Sequence, residues 1–256
     1  MPLLSALSGL LSAHARITPG ALVLNLAMCA SVAHAAGPTG LLNDTGQTRC
    51  ADASNALVAC NAATTGDSGV LPRQDGRFGR DVANPAKVGG GAAGFDFTKL
   101  CWNGDPQGSG TCTGTLVANG TGTPTGTPTT DWACNRDNVT NLVWSLQIQA
   151  ATWNNATVST YPDAGHNTAT RCGFATGWRL PTRRELLSIV HHGLPDYSTA
   201  KIDVAYFPNT PSGYYWTSDA YAPPLAYAWL VDFNVGYSFG YYRTGTNSVR
   251  LVRSGP

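Results

Sequence analysis

Seven cysteines, at positions 29, 50, 60, 101, 112, 134 and 172, constrain this chain more than any other feature of its 256 residues. How they are read depends on the segment that carries the first of them. Residues 21–32, ALVLNLAMCASV, are apolar but shorter than the ~20 residues that a bilayer-spanning helix requires. They follow a stretch whose one certain charge is Arg16, and they run into AHAA, a small-x-small pattern that fits cleavage after Ala35. Residues 1–35 therefore read as a secretory signal, and no other run is apolar enough to span a membrane in the mature chain. A retained anchor is the alternative reading of this segment. LAMC at 26–29 is a poor lipoprotein box, because Met28 is too bulky for the position before the cysteine.

Loss of Cys29 with the signal leaves Cys50, Cys60, Cys101, Cys112, Cys134 and Cys172. An even set in an exported chain argues for disulfides, although sequence does not choose among the pairings. Spacing favours Cys50–Cys60 and Cys101–Cys112 as closures of short loops, leaving Cys134–Cys172 as the long one. Each such closure typically stabilises a fold by ~2–4 kcal/mol. Zinc is a poor competitor, since there is no CxxC pair and the mature histidines are only His166, His191 and His192.

Charged residues make up 12% of the chain and the formal net charge is +1, which excludes a nucleic-acid binder held by bulk electrostatics. With 29 glycines, ten tyrosines and seven tryptophans, the composition suits an exported, loop-rich domain with strands. It also suits a surface that touches sugars or other polar polymers.

Three regions follow: residues 1–35 as signal, 36–135 as a disulfide-rich extension of loops and short strands, and 136–256 as a domain packed with that extension as one unit. Within the extension, VANGTGTPTGTPTTDW at 117–132 has no periodicity and reads as an exposed insertion. From 137 the signals sharpen. DNVTNLVWSLQ is a turn followed by a strand apolar on both sides, and ATWNNATVSTY is a weak helix with Thr152 as its cap.

GWRLPTRRELLSIVHHG at 177–193 carries the strongest local signal. Pro181 holds Leu180 extended, so Trp178 and Leu180 belong to a strand-like approach. Thr182 and Glu185 have capping-box spacing, Leu186, Leu187, Ile189 and Val190 form an apolar stripe, and Gly193 is expected to end the helix in a left-handed conformation. GYYWTSD, AYAWLVDFN, SFGYYRT and NSVRLVRS then read as an antiparallel meander packed beside the 182–192 helix, an α+β arrangement.

The order DNVTNLVW, GWRLPTRRELLSIV, ID…YFPNT…YYWTSD, YAWLVDFNVG and VRLVR resembles one family, the domain named after the C-terminal part of the Legionella collagen-like adhesin, Lcl. The upstream DTGQTRC and RQDGRFGRD resemble an N-terminal extension seen in bacterial members, so the resemblance covers roughly residues 40–253. It implies a fold similar to C-type-lectin-like and sulfatase-modifying-factor-like domains, with short helices on the C-terminal meander. It also implies adhesion and binding of sulfated glycosaminoglycans. No Gly-x-y repeat precedes the domain, so collagen-driven trimerisation does not carry over. The resemblance fixes no role for the Cys60–Cys101 region or the Thr-rich insertion.

Each candidate residue has a bland reading beside the functional one. Arg183 and Arg184, at a helix start, suit a sulfate or carboxylate, or are simply solvated. Arg179 is expected to pair with a buried carboxylate such as Asp203 or Asp232 while Trp178 packs in the core. Arg243, Arg250 and Arg253 with Lys201 either form a sulfate-attracting face or are solvated strand positions, residues 171–256 holding eight Arg and Lys against five Asp and Glu. Tyr221, Tyr237 and Tyr242 are the tyrosines expected to be exposed for stacking on sugars.

Asp137, Asp196 and Asp219 are the acidic residues available to a structural ion, but the short calcium-and-sugar motifs of calcium-dependent lectins are absent. His191 and His192 are expected to end the helix as C-capping groups. No GxSxG, HExxH, P-loop or dinucleotide fingerprint occurs, and no cysteine follows Cys172 to supply the paired late cysteines of sulfatase-modifying oxidases. The resulting expectation is an exported, non-catalytic binding module without cofactor or metal. Its partner is a glycan or another extracellular polymer. A structural component of a surface appendage, in contact with envelope proteins, is the second expectation and an enzyme the third.

Overall fold

The computed structural model describes residues 43–52, 56–60, 74–82, 86–118, 126–157 and 170–256, which fall in one compact unit, His34–Pro256. The segment expected to be a signal, with Cys29, residues 119–125 of the expected insertion, Val158 and His166 lie outside the described residues.

A small hairpin of β1 (Cys50–Ala51) and β2 (Leu57–Val58) precedes a one-turn helix, α1 (Asp75–Phe78). The main sheet then collects eight strands. These are β3 (Phe97–Cys101), β4 (Val117–Ala118), β5 (Asp131–Asp137), β6 (Leu142–Thr152), β7 (Tyr214–Ala220), β8 (Tyr227–Asp232), β9 (Tyr237–Tyr242) and β10 (Thr246–Ser254). Their order is β3-β5-β6-β10-β7-β8-β9, with β4 alongside β5. Two short helices, α2 (Trp153–Thr157) and α3 (Arg183–Leu187), lie against it. The architecture is α+β and rich in loops.

Alternation explains why this sheet is covered on both faces. Leu142, Trp144 and Leu146 of β6 enter one core with Tyr215, Val231 and Val252, and α3 and the 189–207 loops close it through Leu186, Ile189, Ile202 and Phe207. Val143, Trp216, Leu230 and Leu251, the intervening residues, enter a second core with Trp178, Leu180, Cys172 and Ala156. The turn before β6 is built by Asp137, whose carboxylate accepts from the Val139 and Thr140 N–H groups at 2.9 and 3.1 Å and from Asn43 Nδ2 at 2.8 Å.

Among the described residues the cysteines pair as spacing favours: Cys50–Cys60, Cys101–Cys112 and Cys134–Cys172. They place the chain in an oxidising compartment. Among the described residues no helix is long and apolar enough to cross a membrane.

Three expectations change. The C-terminal strands are not one antiparallel meander: β7, β8 and β9 are, but β10 returns between β6 and β7, antiparallel to β6 and parallel to β7 at Ser248↔Tyr215. The stretch 117–132 is not wholly an exposed insertion, since Val117–Ala118 pairs parallel with Asp131–Trp132 and the Trp132 ring is buried.

The helix at 182 is also shorter than its apolar stripe. It ends at Leu187, because the backbone tightens to Ile189 N–H→Leu186 O and Val190 N–H→Leu187 O. The next N–H groups are then taken by other segments, His191 by Lys201 O at 2.9 Å and His192 by Thr45 O at 2.7 Å. Gly193 is therefore no left-handed cap. A Cβ there would meet Gly46 O at 2.2 Å, so the glycine permits a close backbone approach.

Candidate functional site

The site grows from the start of α3. Thr182 is extended (φ −65°, ψ 160°), its Oγ1 accepts from Glu185 N–H at 3.2 Å, and Glu185 Oε2 accepts from Thr182 N–H at 2.7 Å, completing the capping box. The same carboxylate takes a fork from Arg179, Nη1 at 2.8 Å and Nη2 at 2.7 Å. Arg179 thus pairs with Glu185 rather than with Asp203 or Asp232, because its backbone is bridged to Val252 of β10 and its side chain runs toward the helix start. Burial pushes the Glu185 carboxyl up, but the Arg179 hydrogen bonds, the Thr182 N–H and the Arg179 charge outweigh it and hold it below the usual carboxylate range.

A bulge in β7 between Trp216 and Ala220 ties this helix to the sheet. Ser218 N–H reaches Pro181 O at 2.8 Å, and Asp219 Oδ2 accepts from Arg183 N–H at 2.6 Å. Arg183 is thereby set with its guanidinium 4.2 Å over the Trp229 ring, and Tyr221 packs on the same ring at 4.7 Å. Arg184 is exposed.

Both arginines face a cleft of about 690 Å³. One wall is α3, with Leu187, Ser188 and the following His192. The opposite wall is Gly236, Tyr237 and Ser238 at the start of β9, and Asn43, Asp44 and Thr45 close one end. Both Asp44 oxygens are committed to backbone, Oδ1 to Gly46 N–H at 2.7 Å and Oδ2 to Arg80 N–H at 3.0 Å. Burial, with the Lys201 charge, pushes the His192 imidazole down, so it is neutral at neutral pH. Two guanidiniums against the one Asp44 carboxylate leave the lining net positive, with Tyr237 and the Ser238 hydroxyl at its β9 side. The arrangement suits an anionic, hydroxyl-rich ligand.

Of the sequence candidates, the structure brings Arg183, Arg184 and Tyr237 to one place, with Tyr221, half-buried rather than exposed, packed on Trp229 beside them. The other candidates scatter. Tyr242 is exposed but stacks on Tyr227 at 4.4 Å. Arg243 Nε donates to Tyr227 O at 2.9 Å while its guanidinium lies 4.3 Å over Trp153, a strap between α2 and β8. Arg253 lies 3.5 Å over the Phe174 ring.

Lys201 and Arg250 do not belong to any surface face. Lys201 is buried, its ammonium paired with Asp196, beside a second cavity of about 410 Å³. Arg250 is 1% exposed, donates to Ser145 O at 2.7 Å and Thr210 Oγ1 at 2.8 Å, and is pushed down to about 10 by burial. It lies on a central strand whose partners cover it on both sides, so it is neither solvated nor available to sulfate. His191 and His192 are not C-capping cations either. They follow the helix in a tertiary-bonded turn, and burial lowers both.

The acidic residues proposed for an ion serve separate contacts: Asp137 the turn before β6, Asp196 the Lys201 ammonium, and Asp219 the start of α3. Asn43–Thr45 and His192 were missed as cleft-lining residues, and Trp229 as the ring that seats Arg183. Only NDTG, a turn signature, hinted at the first, while Trp229 alternates as a core residue would.

Residues 133–253 match the Lcl C-terminal domain family. The match runs from within β5 to β10, and β3, β4 and the disulfide-closed loops before them lie outside it. No curated protein matches the chain.

Proposed function

We propose that the chain is an exported, non-catalytic binding module, adhesive in role, whose Lcl C-terminal domain recognises an anionic extracellular polymer, a sulfated glycan first among them. The observation that carries this reading is the cleft between α3 and β9. There Arg183 is held over Trp229, Arg184 is exposed, and Tyr237 and Ser238 line the β9 side. Two guanidiniums beside aromatic and hydroxyl groups supply charge-assisted hydrogen bonds to a sulfate and stacking to a sugar ring. A C-type-lectin-like architecture is the fold reading that goes with it, supported by a two-sided sheet with short helices and disulfide-closed loops.

The test is a glycan array run at two salt concentrations, with wild type beside Arg183→Ala/Arg184→Ala. Binding of sulfated glycans that weakens with salt and is lost in the double variant supports the proposal. Binding that survives the double variant places the site elsewhere. Turnover of any glycan on the array overturns the non-catalytic reading.

A further inference from the structure

The two edges of the main sheet are finished differently, and the difference points to a partner. At the β3 edge the chain caps itself. Gly90 exchanges backbone hydrogen bonds with Phe97 at 2.9 and 2.6 Å, Gln107 N–H reaches Lys99 O at 2.9 Å, and Cys101 N–H reaches Asp105 O at 3.0 Å. Among the described residues the backbone of β9 pairs only with β8, apart from a local turn at Tyr242. Its sequence, Tyr-Ser-Phe-Gly-Tyr-Tyr, holds no charge and no proline. An edge of this kind lacks the lysines, prolines and bulges that ordinarily keep strands from pairing.

We infer that β9 pairs with β9 of a second copy of this chain, antiparallel about a two-fold axis at Phe239, joining the two sheets. The sequence pattern selects this occupant. Tyr237, Phe239 and Tyr241 share one face, with rings 5.7 and 6.4 Å apart in succession. A two-fold normal to the sheet keeps like faces together. Centred on Phe239, it sets Phe239 opposite its own copy and Tyr237 opposite Tyr241 on either side. That gives an unbroken aromatic row flanked by Tyr214, which already packs on Phe239 at 5.2 Å. On the other face the same register opposes only Ser238 and Gly240. There the Tyr221 ring lies where a Gly240 Cβ would be, 2.6 Å from its Cδ2, so a larger residue would first have to displace that ring. No like charges meet along the strand, which a self-pairing seam requires.

A six-residue strand buries less than the about 1,600 Å² of a standard interface, so the dimer forms in a concentration-dependent equilibrium. The inference shares Tyr237 with the glycan reading, but its readout, association measured without glycan, is separate from glycan retention, so the failure of one is told from the failure of the other. If both hold, two clefts travel together and the avidity that a collagen stalk would provide arises within the domain.

The test is sedimentation velocity of the mature chain over three decades of concentration. A monomer–dimer equilibrium is expected, and Tyr237→Lys/Tyr242→Lys is expected to raise its dissociation constant about ten-fold or more. Both tyrosines are more than half exposed (54% and 55%), so an unchanged melting midpoint confirms that the variant folds. Phe239→Cys reads the register, because mild oxidation links two copies through position 239 only if that residue faces itself. A wild-type chain that stays monomeric overturns the inference, as does a trimer, or a dimer indifferent to the lysines. A dimer that forms without the 239 crosslink overturns the register.

Discussion

The β3 and β9 ends of one sheet solve the same problem in opposite ways. At the β3 end, backbone hydrogen bonds close the edge and the Cys101–Cys112 disulfide fixes the loop that supplies some of them. At the β9 end, side chains do the fixing: a capping box, an Arg179–Glu185 fork and a guanidinium on a tryptophan hold α3 beside β8 and β9. One end is sealed by covalent and backbone bonds, with the Asp96 and Asp105 carboxylates bracing its loops. The other rests on partly exposed charge and leaves a cleft and, among the described residues, an unpaired strand edge. Binding belongs where the chain has left groups uncommitted.

The difference can be broken at several strengths. Cys101→Ala/Cys112→Ala is expected to cost ~2–4 kcal/mol by urea denaturation, and to raise hydrogen exchange at Lys99 and Cys101 while leaving the β9 end protected as before. Gly89→Ala comes next, because its Cβ would lie 2.0 Å from Phe97 O, a backbone atom that cannot swing aside, so about 1–3 kcal/mol is expected. Gly240→Ala, the matching change at β9, displaces only the Tyr221 ring and is expected to cost less, below about 1 kcal/mol. Equal costs for the two glycines would show that the β9 edge is as constrained as the β3 edge.

The acid response is expected at both ends in the carboxylate range, where Asp96 and Asp105 are also held low, and to differ in the histidine range. Glu185 is held below its ordinary value, so its stabilisation is present above the unfolded value and is lost as pH falls through the folded one. His191 and His192 are also held low, so their contribution is complete above about 6.5 and declines below it. Stability at the β9 end should therefore fall as pH drops below the histidine range and again through the carboxylate range. Glu185→Gln should remove the second loss and cost about 1 kcal/mol at neutral pH, the Arg179 side chain being 42% exposed and its charge screened by solvent. Thermal melts across pH check both. The smallest effect on folding is expected from Arg184→Ala, within about 0.5 kcal/mol, with retention of sulfated glycans at low salt as the property that changes.

Much of this was legible from residue order. Val143 out of phase with Leu142 and Trp144 announced a strand buried on both faces, and β6 is that strand. Thr182 and Glu185 announced the capping box, and the cysteine spacings the three disulfides. The cleft was half legible. Arg183, Arg184 and Tyr237 were named, but the wall formed by Asn43–Thr45 comes from the far end of the chain.

By itself, the order of residues determined what is settled within a few positions: alternation, caps, turns and short closures, because their partners are neighbours along the backbone. The fold decided which strand β10 would join, that Arg250 would be enclosed while Arg184 faced solvent, that Glu185 would claim Arg179, and that α3 would stop at Leu187. Those outcomes depend on what stands across a gap in space. Burial and hydrogen bonding are fixed by the element that fills that gap, whatever its distance in sequence.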